Sequence, residues 1–199
     1  MLIEAPFAFG ASEGGPLARG ISAMPHARVL RALAGGPVPG SFLGFLAISA
    51  LPNTFLLQRW SDLGASLADP VAAAVHARVE RWTLDELAMP GVLFEDVLEQ
   101  LYREDRFRAG RLEISQGRPT GAARLRGSVL AVVSTSGEVV PPGSTLAAIA
   151  SVPGLRLDVL RHEGGRGAAL EHVGSLVTPV AHETLWPQIL DWLYHCWSE

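Results

Sequence analysis

One uninterrupted apolar run near the end of the chain constrains the fold more than any other stretch. Residues 128–134 read Ser-Val-Leu-Ala-Val-Val-Ser and lie between Gly127 and Gly137. A Val-rich run without polar alternation is typical of a strand buried on both faces, as in the centre of a parallel sheet. Pro141 and Pro142 then stop the strand and favour the start of a helix. The run therefore predicts an α/β domain, in which functional groups collect beyond the carboxyl ends of the strands.

Two further strands and a long helical stretch are predicted around this run. Residues 1–9 are short and apolar and predict a strand despite Pro6, and residues 155–160 predict another. Helical patterns fill the chain between the first strand and the central run. We therefore predict a core with a helical cap inserted after the first strand. The predicted boundaries are residues 1–20 and 121–199 for the core and residues 21–120 for the cap.

Composition excludes several classes of function. The net charge is −4 and no basic stripe is present, so nucleic acid is not an expected partner. All 16 basic residues are arginine, and the absence of lysine excludes Schiff-base and P-loop chemistry. The histidines lack metal-ligand spacing, and we expect neither a metal nor another cofactor.

The single cysteine and the hydropathy pattern bear on localisation. Cys196 has no partner for an internal disulfide, which fits a reducing cytoplasm. No run reaches the roughly 18 apolar residues that a membrane helix needs. The nearest approach, residues 41–57, is interrupted by Pro52 and Asn53. We therefore expect a cytoplasmic protein without a membrane span.

The order of these elements and several short strings resemble the C-terminal half of the α/β-hydrolase fold. More narrowly, the strings are similar to those of the polyhydroxyalkanoate synthase family. They are Ala-Pro-Phe-Ala-Phe at 5–9, the stretch 40–60, the stretch 132–141, Glu-His-Val-Gly at 171–174, and Leu-Trp-Pro at 185–187. The resemblance implies a partial α/β-hydrolase fold that holds the last strands of the parallel sheet. It also implies an acyl or hydroxyacyl thioester as substrate.

The chain departs from the family pattern at three places. The resemblance puts the family's nucleophile elbow before Met1, and it puts the triad acid at the position of Gly137. Glu171 stands where the family usually has glycine. These departures imply a subunit or fragment without its own nucleophile, completed by a second protein chain that supplies the N-terminal half of the fold.

Three residues are candidates for catalysis. His172 follows a short strand and a loop, the placement that a triad histidine needs, and the resemblance supports that role. Glu138, next to the missing acid, could orient it. Residues 10–14 match G-x-S-x-G, which makes Ser12 a candidate nucleophile, although the elbow's following strand is not predicted. The simpler interpretations are a loop histidine, a solvated glutamate and a chance match in a glycine-rich chain.

These observations leave three functions open. The first is a polyhydroxyalkanoate-synthase-like acyltransferase or hydrolase that a partner chain completes, with His172 as base. The second is a non-catalytic pseudoenzyme or interaction module of the same fold, which Gly137 at the acid position favours. The third is a small serine esterase that uses Ser12, Glu138 and His172 in the chain order of the α/β-hydrolases.

Overall fold

The structure, a computed structural model, describes residues 1–10, 12–85, 87–115, 117–150, 152–163 and 168–198. Its strands are β1 (Leu2–Ile3), β2 (Leu112–Ser115), β3 (Arg118–Thr120), β4 (Gly127–Ser134) and β5 (Leu155–His162). Its α-helices are α1 (Gly15–Ala23), α2 (Ala27–Ala34), α3 (Gly40–Ala50), α4 (Arg59–Ser66), α5 (Pro70–Leu84), α6 (Gly91–Glu95), α7 (Pro142–Ile149), α8 (Ala168–Val177) and α9 (Trp186–Ser198). Three π-helical segments adjoin these helices, at Asn53–Gln58, Asp96–Arg103 and Ala181–Leu185, and Ala122–Arg124 is a short 3-10 helix.

The apolar run forms the central strand of a parallel sheet, as predicted. The sheet has three strands in the order β1-β4-β5, and both pairings are parallel. Ile3 pairs with Val132, and Ser134 at the end of β4 pairs with His162 at the end of β5. The fold is therefore α/β, and the carboxyl ends of all three strands lie at one edge.

Helices cover both faces of β4, which explains why its sequence lacks polar alternation. Leu130 and Val132 pack on one face against Leu185 and Ile189. On the other face, residues of β4 pack against the 3-10 turn and helix α7, in a cluster of Ala122, Val129, Ala131 and Ile149. Side chains that alternate between the faces of a strand must all be apolar when both faces are covered.

A separate apolar core holds the helices that follow β1. It comprises Ala27, Leu30, Val38, Leu46, Phe94 and Leu98. The helices of this segment thus bury their own side chains against one another. Helices inserted after the first strand match the sequence pattern, while the action of this segment as a cap and the domain boundaries stay predictions. Strands β2 and β3 form a separate antiparallel pair.

Two local predictions were wrong. The first strand ends at Ile3, because Glu4 has a left-handed φ of 43° and turns the chain out of the sheet. The amides of Phe7 and Ala8 bind the carbonyl oxygen of Ser144 at 2.9 and 2.7 Å instead of a neighbouring strand. His172, expected on a loop, lies within helix α8.

Within the described residues, no single helix has both the length and the apolar character that crossing a membrane requires. Gly40–Ala50 and Asn53–Ser66 meet those two criteria only as a pair, and a bend of 112° separates them.

Candidate functional site

The carboxyl edge of the parallel sheet gathers one carboxylate and two imidazoles. Glu4 follows β1 directly, and His162 is the last residue of β5. Helix α8 brings His172 to the same edge. Parallel strands place the residues that follow them at one edge, so positions far apart in sequence meet there.

Glu4 joins the two histidines. Its Oε2 atom lies 3.2 Å from Nδ1 of His172, and its Oε1 atom lies 2.8 Å from Nε2 of His162. The Glu4 side chain is only 3% exposed, whereas that of His172 is 38% exposed. A buried carboxylate is thus held between two imidazoles, of which that of His162 is the less exposed.

The contact at Nδ1 fixes which nitrogen of His172 is available for chemistry. An ionised carboxylate only accepts hydrogen bonds, so a neutral His172 carries its proton on Nδ1. The other nitrogen, Nε2, then keeps its lone pair and can accept a proton. This is the orientation that a carboxylate imposes on the histidine of a Ser-His-Asp triad.

Glu4 is ionised in the folded chain despite its burial. Burial by itself raises the pKa of the Glu4 carboxyl, but hydrogen bonding from His162 and His172 and the charges of both rings outweigh it. The net result is a pKa below the ordinary value of 4.5. The group that orients His172 therefore stays negative at neutral pH.

Glu138 is engaged elsewhere. Its Oε2 atom accepts a hydrogen bond of 2.6 Å from the hydroxyl of Thr54, a fully buried residue of the π-helical segment. The structure brings Glu4 to His172 and Glu138 to Thr54, so Glu138 and His172, which the sequence suggested as partners, bind different groups. The catalytic role of Glu138 stays a prediction.

Gly137 occupies a turn too tight for a side chain. A Cβ atom built there would lie 2.8 Å from the carbonyl oxygen of Val140 and 3.4 Å from Cβ of Ser134. The first distance is shorter than real contacts of this kind. The loop after β4 therefore cannot hold an aspartate at this position without moving.

Ser12 is exposed and its hydroxyl donates to the carboxylate of Glu13. Glu13 in turn forms a 2.7 Å ion pair with Arg108. Helix α1 begins three residues later, but residues 5–10 form no strand, and an elbow serine sits between a strand and a helix. The geometry gives Ser12 a carboxylate partner rather than a histidine, and its role as a nucleophile stays a prediction.

His172 lines two cavities. The first, of about 180 Å³, is mainly apolar and lies between α8 and the helical segment. Its lining residues are Thr54, Phe55, Arg59, Val79, Glu80, Trp82, Thr83, His172 and Val173. Arg59 and Glu80 neutralise each other within its wall, since Nε of Arg59 lies 2.8 Å from Glu80. The cavity therefore offers an uncharged, apolar space beside the imidazole.

His172 also lines the second cavity. This cavity has a volume of about 200 Å³ and includes Glu4, Phe9, Tyr102 and Ser144 among its lining residues. Burial raises the pKa of the Tyr102 hydroxyl, which therefore stays protonated and can act as a hydrogen-bond donor. His172 thus borders one mainly apolar cavity and one whose wall also includes polar side chains. Within the part of the chain that the structure describes, no group of three His, Cys, Asp or Glu side chains is placed to hold a metal ion.

Sequence reasoning missed Glu4 and His162. Glu4 is the only charged residue among residues 1–12, in an otherwise apolar stretch that ends at Gly10. A lone carboxylate at the end of an apolar strand is expensive to bury without a partner, and this was the available signal. His162 lies beyond the strand predicted at residues 155–160, whereas β5 extends through it. The side chain of Glu171, singled out as a departure from the family, lies outside the described side chains.

Comparison with known proteins gives one distant similarity. The chain is 26% identical over 159 residues to the "Poly(3-hydroxyalkanoate) polymerase subunit PhaC" of Haloferax mediterranei. The aligned region covers 79% of this chain and 30% of that protein, so the chain spans about a third of the length of this relative. No family model matches the chain, and no solved structure matches it. The similarity supports a distant polyhydroxyalkanoate-synthase-like relationship.

Proposed function

We propose that the chain is part of an acyltransferase related to the polyhydroxyalkanoate synthases, with a partial α/β-hydrolase fold and His172 as its general base. The observation that carries this proposal is the contact between Nδ1 of His172 and the buried carboxylate of Glu4 at 3.2 Å. The distant similarity to a polymerase subunit supports the acyl-transfer class. The carboxyl edge of a parallel sheet is where such a site is expected.

The proposed reaction uses Nε2 of His172 twice. It first takes the proton of a thiol or hydroxyl nucleophile, which attacks the carbonyl carbon of an acyl or hydroxyacyl thioester. The carbon–sulfur bond breaks, and the departing thiolate receives that proton. His172 then takes the proton of an acceptor hydroxyl, whose oxygen attacks the acyl-enzyme and releases the nucleophile, which regains the proton. A hydroxyacyl acceptor extends a polyester, whereas water gives hydrolysis.

In this proposal, the nucleophile comes from outside the described sheet and helices. It belongs either to another segment of the same polypeptide or to a second chain. Strand β1 is an edge strand in the described sheet, with β4 on one side. A parallel edge of this kind accepts further strands, and those strands would carry a strand–turn–helix elbow. Nε2 of His172 is the atom that such an elbow would have to approach within hydrogen-bonding distance.

The apolar cavity is the proposed place for the acyl chain. Phe55, Val79 and Val173 line it, and His172 lies at its edge. An acyl chain in this space removes apolar surface from water, while its carbonyl carbon lies near the imidazole. The helices between β1 and β2 then act as the cap over the site.

The test is the His172→Ala variant in the complete active protein, with acyl-thioester turnover as the measurement. We expect kcat/KM to fall by at least about 10³-fold, because a triad histidine acts in each chemical step. The matched control is His195→Ala, since His195 is a well-exposed residue of α9. Unchanged turnover in His172→Ala would refute the proposal and favour a scaffold without catalytic function.

A further inference from the structure

We propose that His162 is a positioning residue for this site: it holds one oxygen of Glu4 so that the other stays aimed at His172. The consequence for catalysis rests on the function proposed above, while the arrangement itself can be tested without substrate. His162 lies 158 positions from Glu4 and 10 positions from His172 in the sequence, and only the fold brings the three side chains together.

Glu4 uses both of its oxygens, and they differ in their surroundings. Oε1 lies 2.8 Å from Nε2 of His162, whose side chain is 12% exposed. Oε2 lies 3.2 Å from Nδ1 of His172, whose side chain is 38% exposed. The shorter and better shielded contact is the one to His162. The catalytic imidazole therefore binds a carboxylate whose position a second imidazole already fixes.

Strand pairing anchors His162 to the central strand β4. His162 ends β5 in register with Ser134, and its carbonyl oxygen accepts a 2.9 Å hydrogen bond from the amide of Thr135. Glu4 has a left-handed φ of 43° and donates its amide to the carbonyl oxygen of Val132 at 2.9 Å. Both residues are thus anchored to the central strand β4. The backbone positions of Glu4 and His162 are therefore both fixed relative to β4.

The charge of Glu4 depends on the two histidines. Burial opposes the ionised carboxylate, and hydrogen bonding from His162 is the first of the favourable contributions that lower its pKa. Without His162, only the contact to His172 would oppose the effect of burial, and the pKa of Glu4 would rise. A protonated Glu4 carries a hydroxyl donor in place of one acceptor, and it no longer selects the tautomer of His172 with the proton on Nδ1.

Other titratable groups lie near Glu4, His162 and His172. Glu138 in the loop after β4 accepts a hydrogen bond from Thr54. Tyr102 lines the second cavity together with Glu4. The remaining charged groups face the cavities that adjoin the two histidines, and they are Arg161 and Glu163 beside His162 and the paired Arg59 and Glu80 beside His172.

The first experiment follows the Glu4 carboxyl by ¹³C NMR during a pH titration of the full chain. In His162→Phe we expect the pKa of Glu4 to rise, because the ring remains but neither a donor nor a charge does. In His162→Gln, whose amide nitrogen can replace Nε2 as a neutral donor, we expect a smaller rise. His195→Phe is the control and should leave the titration of Glu4 unchanged.

The second measurement reports on His172 directly. Long-range ¹H–¹⁵N spectra of the neutral ring should show the proton on Nδ1 in the wild type and in His162→Gln. In His162→Phe we expect a mixture of the two tautomers. In the complete enzyme, kcat/KM of His162→Phe should fall by about tenfold, with the acid limb of its pH profile moved to higher pH and KM little changed.

An unchanged Glu4 titration in His162→Phe would overturn the proposal. Identical Glu4 titrations in His162→Phe and His162→Gln would overturn it as well. If His162→Phe does not fold, His162→Gln decides, because a Glu4 titration identical to the wild type would overturn the proposal there too. Neither spectroscopic measurement requires turnover. A failure of the proposed acyl transfer, seen as full activity of His172→Ala, is therefore distinguishable from a failure of this inference.

Discussion

Replacing Glu4 by glutamine tests the central contact of the site through the stability of the chain. The substitution keeps the size and shape of the side chain but removes its charge. It leaves an amide between two imidazoles in a position where the wild-type side chain is 3% exposed. The variant should therefore fold. Its free energy of unfolding should differ from that of the wild type by what the Glu4 charge contributes through its two histidine contacts.

The magnitude follows from those two contacts. A hydrogen bond to a charged group contributes about 1.5–3 kcal/mol and a neutral one about 0.5–1.5 kcal/mol, so each contact loses about 1 kcal/mol. The contact to His172 counts for about half of that, because solvent screens this partly exposed ring. The amide is also less costly to bury than a carboxylate. We expect a net loss of about 1 kcal/mol at pH 7, or a Tm lower by about 2–4 °C for a chain of this size.

The stability difference between the wild type and Glu4→Gln should depend on pH in a definite direction. The pKa of Glu4 is lowered on folding from the ordinary value of 4.5. Its contribution to stability is therefore fully present above that value and is lost as the pH falls through the folded-state pKa. The difference in unfolding free energy between wild type and Glu4→Gln should persist at pH 6–7 and shrink as the pH falls below about 4.5.

Urea denaturation of both proteins at a series of pH values, followed by circular dichroism, measures this difference. Glu163→Gln is the matched control, since Glu163 is an exposed glutamate near the same edge of the sheet. A variant as stable as the wild type at pH 7, or a difference that does not change with pH, would refute the reasoning. Either result would mean that the Glu4 charge contributes nothing through its two histidines.

Two further substitutions test the packing around the site. Ile189→Ala should lower the free energy of unfolding by about 3 kcal/mol in urea denaturation, because the side chain is fully buried against Leu130; a loss under about 1 kcal/mol would contradict this packing. Gly137→Asp should cost about 1–3 kcal/mol, because its Cβ would lie 2.8 Å from the Val140 carbonyl oxygen. It should also fail to restore the activity lost in Glu4→Gln, and recovery of activity would show that the turn can hold the acid.

The central strand was predictable because its signal is local. Seven consecutive residues from Ser128 to Ser134 carry the pattern of a strand covered on both faces, and both covers are present. The edge strand β5 was predicted to end at Leu160 but continues to His162, because pairing with β4 supports two more residues. That support is a tertiary effect, which a pattern within one strand does not contain.

The site was less predictable because its partners are distant in sequence. Glu4 and His172 are separated by 168 positions, and a two-residue strand with a left-handed turn brings them together. Nothing in the sequence near Glu4 specifies that turn, since the left-handed region normally favours glycine. His172 was singled out by its position after the last predicted strand, and its catalytic role stays a prediction; the helix that carries it begins at Ala168.

The prediction for Glu138 shows how neighbouring positions can diverge. It was chosen because it adjoins the position of the missing acid, and the tight turn at Gly137 directs its side chain toward Thr54. A change of one residue in a turn changes the direction of a side chain completely. The carboxylate beside His172 comes from a different strand end: Glu4 follows β1, whereas Glu138 lies in the loop after β4.

Helix α8 contacts both the sheet edge and the apolar cavity, so a molecule bound in the cavity can affect the contact between His172 and Glu4. On the sheet side, His172 contacts Glu4, and on the other side Val173 forms a cavity wall with Phe55 and Val79. His172 and the cavity-lining Val173 are adjacent residues of one helix. In the proposed reaction, an acyl chain too long for the cavity would push on that helix and lengthen the contact at Nδ1. An acyl chain that is too long would then lower kcat as well as bind more weakly. Helix α8 would in this way couple the length of the bound chain to the geometry at His172.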